Sequence, residues 1–416
     1  MLPRVVVTGI GVVSPNGIGR QEFCRAVLAG KSGVKRVSRF DASELPVQIA
    51  GEIPEFDELA WVDPRERKHV SRVVPLAVAA SHEAVADAGL DPQAMTLEEK
   101  REIGIILGTG GGAQEFSEEQ YRLWHTGHIK QVSLFSIPSG TMGTISSEIS
   151  MRFGFRGYSH VVTAGCTSST DAIGYAYQHI QAGVQPLFLV GGVDSAITPG
   201  IIKGYTMLRA LTQSWNQAPE RASRPFSADR DGFVLAEGSW MFIVEEYEHA
   251  RRRGVRMYAE ITGYGSTCEA FHRVRMSDSP EEPARAITLA LEEAGLGPAD
   301  IQYVNLHGTS TEMNDRVETR AIKLALGSHA GRIPMSGLKS QIGHAQGACG
   351  AAGMAASLIA MEHNCIPPTI NLEVPDPECD LDYVPDAGRQ AQIEHAICNC
   401  VGFGSKNSAL VLKKVA

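Results

Sequence analysis

A faint internal repeat constrains the fold more than any other feature of the chain. Residues 76–108 read as a small-residue helix that ends in Ala88-Gly89-Leu90-Asp91-Pro92, followed by the apolar strand Ile103–Gly108. Residues 284–308 repeat the pattern, with Ala294-Gly295-Leu296-Gly297-Pro298 and then Tyr303–Gly308. Glycine past a helix end suits a left-handed cap, and the proline beyond it blocks continuation. Further pairs follow in the same order. Val161–Cys166 and its helix to about Ala182 match Pro334–Lys339 and a helix over about His344–His363. The strands Leu187–Gly192 and Trp240–Glu245 match Ala396–Val401 and Ser408–Lys413. One such match is weak; several in one order indicate duplication.

Two copies of an alternating strand–helix unit predict an α/β protein with two packed sheets and helices between and outside them. Short uninterrupted apolar strands such as Val5-Val6-Val7 and Ile105-Ile106-Leu107 fit sheets covered on both faces. The expected halves are 1–255 and 256–416. The first carries additions at about 110–155 and 199–235 that cap a site or build an interface.

With 416 residues the chain is long enough for two domain-sized units. A net charge of −9 leaves no basic footprint for nucleic acid. The start, Met1-Leu2-Pro3-Arg4 and then apolar strand, lacks a signal-peptide pattern, and no run of 18 apolar residues predicts a membrane span. Eight scattered cysteines without metal-ligand spacing read as reduced thiols of a cytoplasmic protein.

Four segments carry chemistry. Cys166 ends a strand just before Thr167-Ser168-Ser169-Thr170 opens a helix, where the helix dipole and unpaired N–H groups favour a thiolate. On this pattern alone an inert buried thiol fits as well as a nucleophile. His307 closes a strand ahead of Gly308-Thr309-Ser310-Thr311, hydroxyls suited to an amide-bearing ligand and a ring nitrogen suited to an oxyanion. A backbone-satisfied core histidine is the plainer alternative. Lys339 and His344 precede the small-residue run Gly347–Ala356, where burial of either is costly unless it is paired or functional. Asp315 and Glu318 are the candidate counter-charges. Finally, Gly402 and Gly404 flank Phe403, a gate or a backbone oxyanion donor if not a simple hairpin turn.

Together, in this order, the four segments resemble the β-ketoacyl-acyl carrier protein synthases, the condensing enzymes of type II fatty acid synthesis. The likeness runs the length of the chain and includes Val5–Gly11, Ser223–Phe233 and Pro367–Asn371. It implies a thiolase-like fold, a five-layered α-β-α-β-α sandwich with no metal and no organic cofactor. The implied partners are an acyl carrier protein and a second subunit, either another copy or a ketosynthase-like chain-length partner.

By the same resemblance Cys166 takes the acyl group, and His307 and His344 bind the malonyl thioester and stabilise its enolate. N–H groups of Cys166 and Phe403 form the oxyanion hole, and Thr309 and Thr311 hold the pantetheine arm. Lys339, paired with Asp315 and Glu318, is electrostatic support. Three departures stand out. Gly353 replaces a usual glutamate, and Ser405-Lys406 alters the gate. Gly111 replaces a bulky acyl-pocket residue, which predicts a wider tunnel for longer or unsaturated chains, as in polyene-forming polyketide systems. A chain-length partner without a nucleophile and a thiolase acting on coenzyme A esters fit the Cys–His–His set less well. Arg65, Arg67, Lys68, Arg72 and Lys203 are candidate contacts for an acidic carrier.

Overall fold

The structure, a computed structural model, describes residues 2–415. The main sheet has eleven strands, ten of them in one continuous path: β1 (Val5–Ser14), β2 (Ile103–Gly108), β3 (Ser159–Val162), β4 (Leu187–Asp194), β5 (Gly238–Glu246), β6 (Ala259–Cys268), β7 (Tyr303–Asn305), β8 (Met335–Ser336), β9 (His395–Gly402) and β10 (Lys406–Lys414); the short strand Gly17–Ile18 pairs with β1 off that path. Their order is β8-β7-β9-β10-β6-β1-β5-β4-β2-β3.

The two halves repeat one pairing pattern. β2 runs parallel to β3 and β4, and β4 antiparallel to β5; β7 runs parallel to β8 and β9, and β9 antiparallel to β10. The helix caps repeat as well. Leu90 N–H donates to the Val85 carbonyl (3.1 Å) and Leu296 N–H to the Leu291 carbonyl (3.0 Å), with Gly89 and Gly295 in the left-handed conformation. The sheets of the two halves, expected to pack with helices between them, are continuous through one shared edge. Val5, Val6 and Val7 of β1 pair with Ile261, Glu260 and Ala259 of β6.

Helix α1 (Val73–Asp87) covers the outer face of the first half and α4 (Glu281–Ala294) that of the second. Helices α2 (Ser168–Gln181) and α6 (Cys349–His363) lie between the halves, each touching strands of both. The result is the thiolase-like α-β-α-β-α arrangement. The α6 segment Cys349–Met361 is wholly buried, and a Cβ on Gly350 would stand 1.9 Å from Thr170 Oγ1, so only glycine lets α2 and α6 approach. Two further helices, α3 (Pro199–Met207) and α5 (Glu312–Leu326), border the site described next. No helix among the described residues is long and apolar enough to cross a membrane.

Candidate active site

Cys166 sits in the tight turn between β3 and α2. Gly165 takes φ +72°, and a Cβ there would lie 3.1 Å from the Phe403 carbonyl. Ser168 Oγ donates to the Gly165 carbonyl (2.6 Å) and accepts from Ala164 N–H (2.8 Å), fixing the turn. From the second half, the loop after β7 brings His307 and the segment before α6 brings His344. One donor atom from each of Cys166, His307 and His344 lies within 4.8 Å of the others, and the two imidazoles meet edge-on with centroids 5.5 Å apart.

Their partners define the protonation of both rings. Lys339 Nζ lies 3.2 Å from His307 Nδ1, and Gln346 N–H donates to His344 Nδ1 at 3.0 Å. An ammonium and an amide N–H can only donate, so each Nδ1 accepts and each neutral ring carries its hydrogen on Nε2. Burial, and then the Lys339 charge, hold His307 well below the usual histidine range and His344 at about 3. The rings are therefore neutral Nε2–H donors.

At Cys166 burial outweighs the helix terminus and pushes the thiol up, contrary to the expectation of a depressed pKa. A bond from Phe403 N–H and the Lys339 charge work against that shift. The same N–H, next to a thioester carbon on Sγ, is placed to meet an oxyanion. Gly402 admits this approach, since a Cβ there would lie 3.2 Å from Cys166 N; Gly404 supplies φ +84°. The Phe403 ring borders the cavity with Tyr205 and Phe233, ring centroids 6.4 Å from each.

The expected pairing of Lys339 with Asp315 and Glu318 does not form. Glu318 accepts from the N–H groups of His307 (2.7 Å) and Gly308 (2.8 Å), and Asp315 pairs with Arg230 (3.3 Å) while accepting from Thr309 N–H. Both carboxylates thus hold the His307 loop by its backbone. Lys339, 6% exposed, donates to the His307 carbonyl at 2.6 Å and has no carboxylate within 4 Å among the described residues. Where a glutamate was expected, a Cβ on Gly353 would meet Asn305 Oδ1 at 2.6 Å.

A cavity of about 400 Å³ opens at Cys166, His307 and His344 and is bordered by Thr309 and Thr311, whose hydroxyls bond each other at 2.8 Å. Gly111 does not line it. Its N–H donates to Asp194 (2.8 Å), and a Cβ there would meet the Ala196 Cβ at 3.0 Å, so the missing side chain does not widen this cavity. Asp194 was not singled out from sequence. It is fully buried at the end of β4 and gathers the N–H groups of Gly110, Gly111, Gly112 and Gly347; burial pushes it up to about 6. The signal lay in Gly191-Gly192-Val193-Asp194, an acid closing an apolar strand opposite Gly110-Gly111-Gly112. Tyr205 and Gln346, also unflagged, line the cavity.

Of the basic residues, Arg72 is 3% exposed and bound to Glu237 and Glu58, so it cannot meet a carrier. Arg67 is tied to Glu58, whereas Arg65, Lys68 and Lys203 are exposed. Cysteine and two histidines are suitable donors for a soft cation. Here the Lys339 charge beside His307 opposes one.

Residues 3–250 match the family described as beta-ketoacyl synthase, N-terminal domain, and residues 258–373 match beta-ketoacyl synthase, C-terminal domain. The chain is 40% identical over 411 residues to 3-oxoacyl-acyl-carrier-protein synthase 2 of Synechocystis sp., covering 99% of this chain and 98% of that one. Among solved structures it is similar to a type II PKS acyl-carrier protein in complex with its ketosynthase bound to the hexaketide (32% identity, TM-score 0.91, 100% of both chains). It is also similar to the ishigamide ketosynthase/chain length factor (31% identity, TM-score 0.91, 100% of both chains).

Proposed function

The chain belongs to the beta-ketoacyl synthase family, and from that premise we propose that Cys166 carries the growing acyl chain while His307 and His344 drive loss of carbon dioxide from a malonyl thioester. The reaction is an acyl transfer, the decarboxylative Claisen condensation of fatty acid or polyketide chain elongation. The observation that carries the assignment of roles is the convergence of one thiol with two neutral Nε2–H imidazoles.

Cys166 Sγ attacks the acyl thioester, and its proton ends on the departing carrier thiol. The oxyanion is met by the N–H groups of Cys166 and Phe403. After malonyl-carrier enters, the two Nε2–H groups donate to its thioester oxygen, where charge builds as carbon dioxide leaves. The enolate carbon attacks the acyl-Cys166 carbonyl, and the thiolate departs and regains a proton. Lys339 keeps Nδ1 of His307 an acceptor and so holds the Nε2–H tautomer. Thr309 and Thr311 take the amide-bearing arm of the carrier. This chemistry calls for no cofactor and runs in the cytoplasm.

The partner is an acyl carrier protein bearing phosphopantetheine, a reading supported by the solved complex of a type II PKS acyl-carrier protein with its ketosynthase. Exposed Tyr121, Trp124, Leu134 and Ile137 in the 110–155 addition, with β3 as an open sheet edge, support a paired assembly. Resemblance to a ketosynthase/chain length factor favours the alternative in which the second subunit is a chain-length partner. The test is incubation with malonyl-carrier, with and without acyl-carrier. Carbon dioxide release and a chain lengthened by one two-carbon unit are expected; no lengthened product refutes the reading.

A further inference from the structure

Gln346 is placed where the condensation chemistry alone does not call for a polar side chain. It is 8% exposed, it lines the cavity beside Cys166, and its backbone stands at φ +50°, a conformation most side chains avoid. Its backbone N–H serves His344. Its side-chain Oε1 accepts from the Tyr205 hydroxyl at 2.9 Å, while Nε2 donates to no protein group among the described residues. The cavity it shares is lined by apolar side chains (Phe233, Leu208, Val401 and the Phe403 ring) together with polar and charged ones, among them Arg209, Arg275, Asp278 and Asn314. Tyr205 is itself held between Phe233 and Phe403, with centroids at 5.5 and 6.4 Å, so the phenol orients the amide.

A cavity serving a hydrocarbon chain gains nothing from an amide and loses the hydration of its N–H groups when filled. An acceptor oxygen on the chain removes that loss. Gln346 belongs to the wall beside the Thr109–Gly112 loop, where its Cβ lies 3.3 Å from the position of a Cβ on Gly110. The hydroxyls assigned to the pantetheine arm come instead from the loop after β7. We propose that the Gln346 amide, oriented by Tyr205, selects acyl chains bearing a hydrogen-bond-accepting oxygen beyond the thioester, a 3-oxoacyl chain being the simplest, over hydrocarbon chains of equal length. The proposal rests on the reading of Cys166 as the acyl carrier.

The test measures kcat/KM for condensation with matched-length 3-oxoacyl, saturated acyl and conjugated dienoyl carriers. Wild type is expected to favour the 3-oxoacyl chain over both hydrocarbons. Gln346→Leu is expected to lower the 3-oxoacyl to saturated ratio about tenfold, the scale of one buried hydrogen bond. Tyr205→Phe, which keeps the amide but unties it, lowers the ratio in the same direction and by less. An unchanged ratio in Gln346→Leu overturns the proposal. So does an equal fall for all three substrates, since the amide would then serve the arm they share. Should Gln346→Leu not fold, Tyr205→Phe decides by the same ratio. A wild type that condenses none of the three defeats the assignment of function itself, a separate outcome.

Discussion

Lys339→Met is the sharpest test of how the histidines are held. The ammonium is buried, it makes two hydrogen bonds to His307 (2.6 Å to the carbonyl, 3.2 Å to Nδ1), and no carboxylate among the described residues lies within 4 Å to neutralise it. Bonds to a charged donor contribute about 1.5–3 kcal/mol each, so removing both costs roughly 3–6 kcal/mol. Against this, burying an ammonium without a counter-ion costs several kcal/mol, which the thioether does not incur. Methionine conserves the volume, so the two nearly cancel, and stability should change by less than about 2 kcal/mol. Catalysis should not be spared. With only the Cys400 thiol left, 3.5 Å from Nδ1, His307 is free to carry its hydrogen on Nδ1 and turn a lone pair toward the thioester oxygen. Losing one oxyanion donor costs about 10²-fold or more. Lysine is also, after burial, the main cause of the His307 depression, so its removal raises that pKa and moves the acid limb of the activity profile upward. Denaturant unfolding and carbon dioxide release from malonyl-carrier across pH measure both effects. Wild-type decarboxylation with an unchanged pH profile would refute the tautomer argument, and a loss of stability above about 4 kcal/mol would refute the cancellation.

Cys166→Ala should abolish acyl loading and condensation while malonyl decarboxylation by the two histidines persists; retained condensation, measured as lengthened product, contradicts the nucleophile. His307 and His344 have folded pKa values below the unfolded value of about 6.5, so the unfolded chain binds more protons in between. Their contribution therefore makes stability fall as pH drops below about 6.5, toward about 3 for His344, and the decarboxylation rate should show no histidine inflection near 6.5. Unfolding at stepped pH and a rate–pH curve check these. Gly347→Ala places a Cβ 2.2 Å from Gly110 N and 2.4 Å from the Thr109 carbonyl carbon, both backbone. A stability loss of about 1–3 kcal/mol is expected, with decarboxylation slowed more than Cys166 loading because His344 shares the displaced segment; equal slowing of both argues against that coupling.

What the sequence made legible was local. The Ala-Gly-Leu helix ends, Cys166 before four hydroxyl residues, and the two histidines at segment ends are each written within about ten consecutive residues. The repeated caps at Leu90 and Leu296 follow from the same few positions. Which partners those side chains find across the sheet was not local. Asp315 and Glu318 stand out in the sequence only as carboxylates, and charge alone suggested Lys339 as their partner. The backbone N–H groups left open where β7 ends are nearer and equally demanding, and they took both carboxylates. Gly111 was read as a missing wall because composition records an absent side chain, not what fills its place. Ala196 and the Asp194 carboxylate occupy it, from a strand more than eighty residues away. Gln346 was invisible for a related reason. Beside His344 and among small residues it reads as a helix-start polar residue, and only the fold turns it toward Tyr205, leaving its amide nitrogen without a protein acceptor among the described residues at the cavity beside Cys166. Reaction chemistry is carried by short segments that any member needs; substrate preference is carried by contacts that only the assembled halves create.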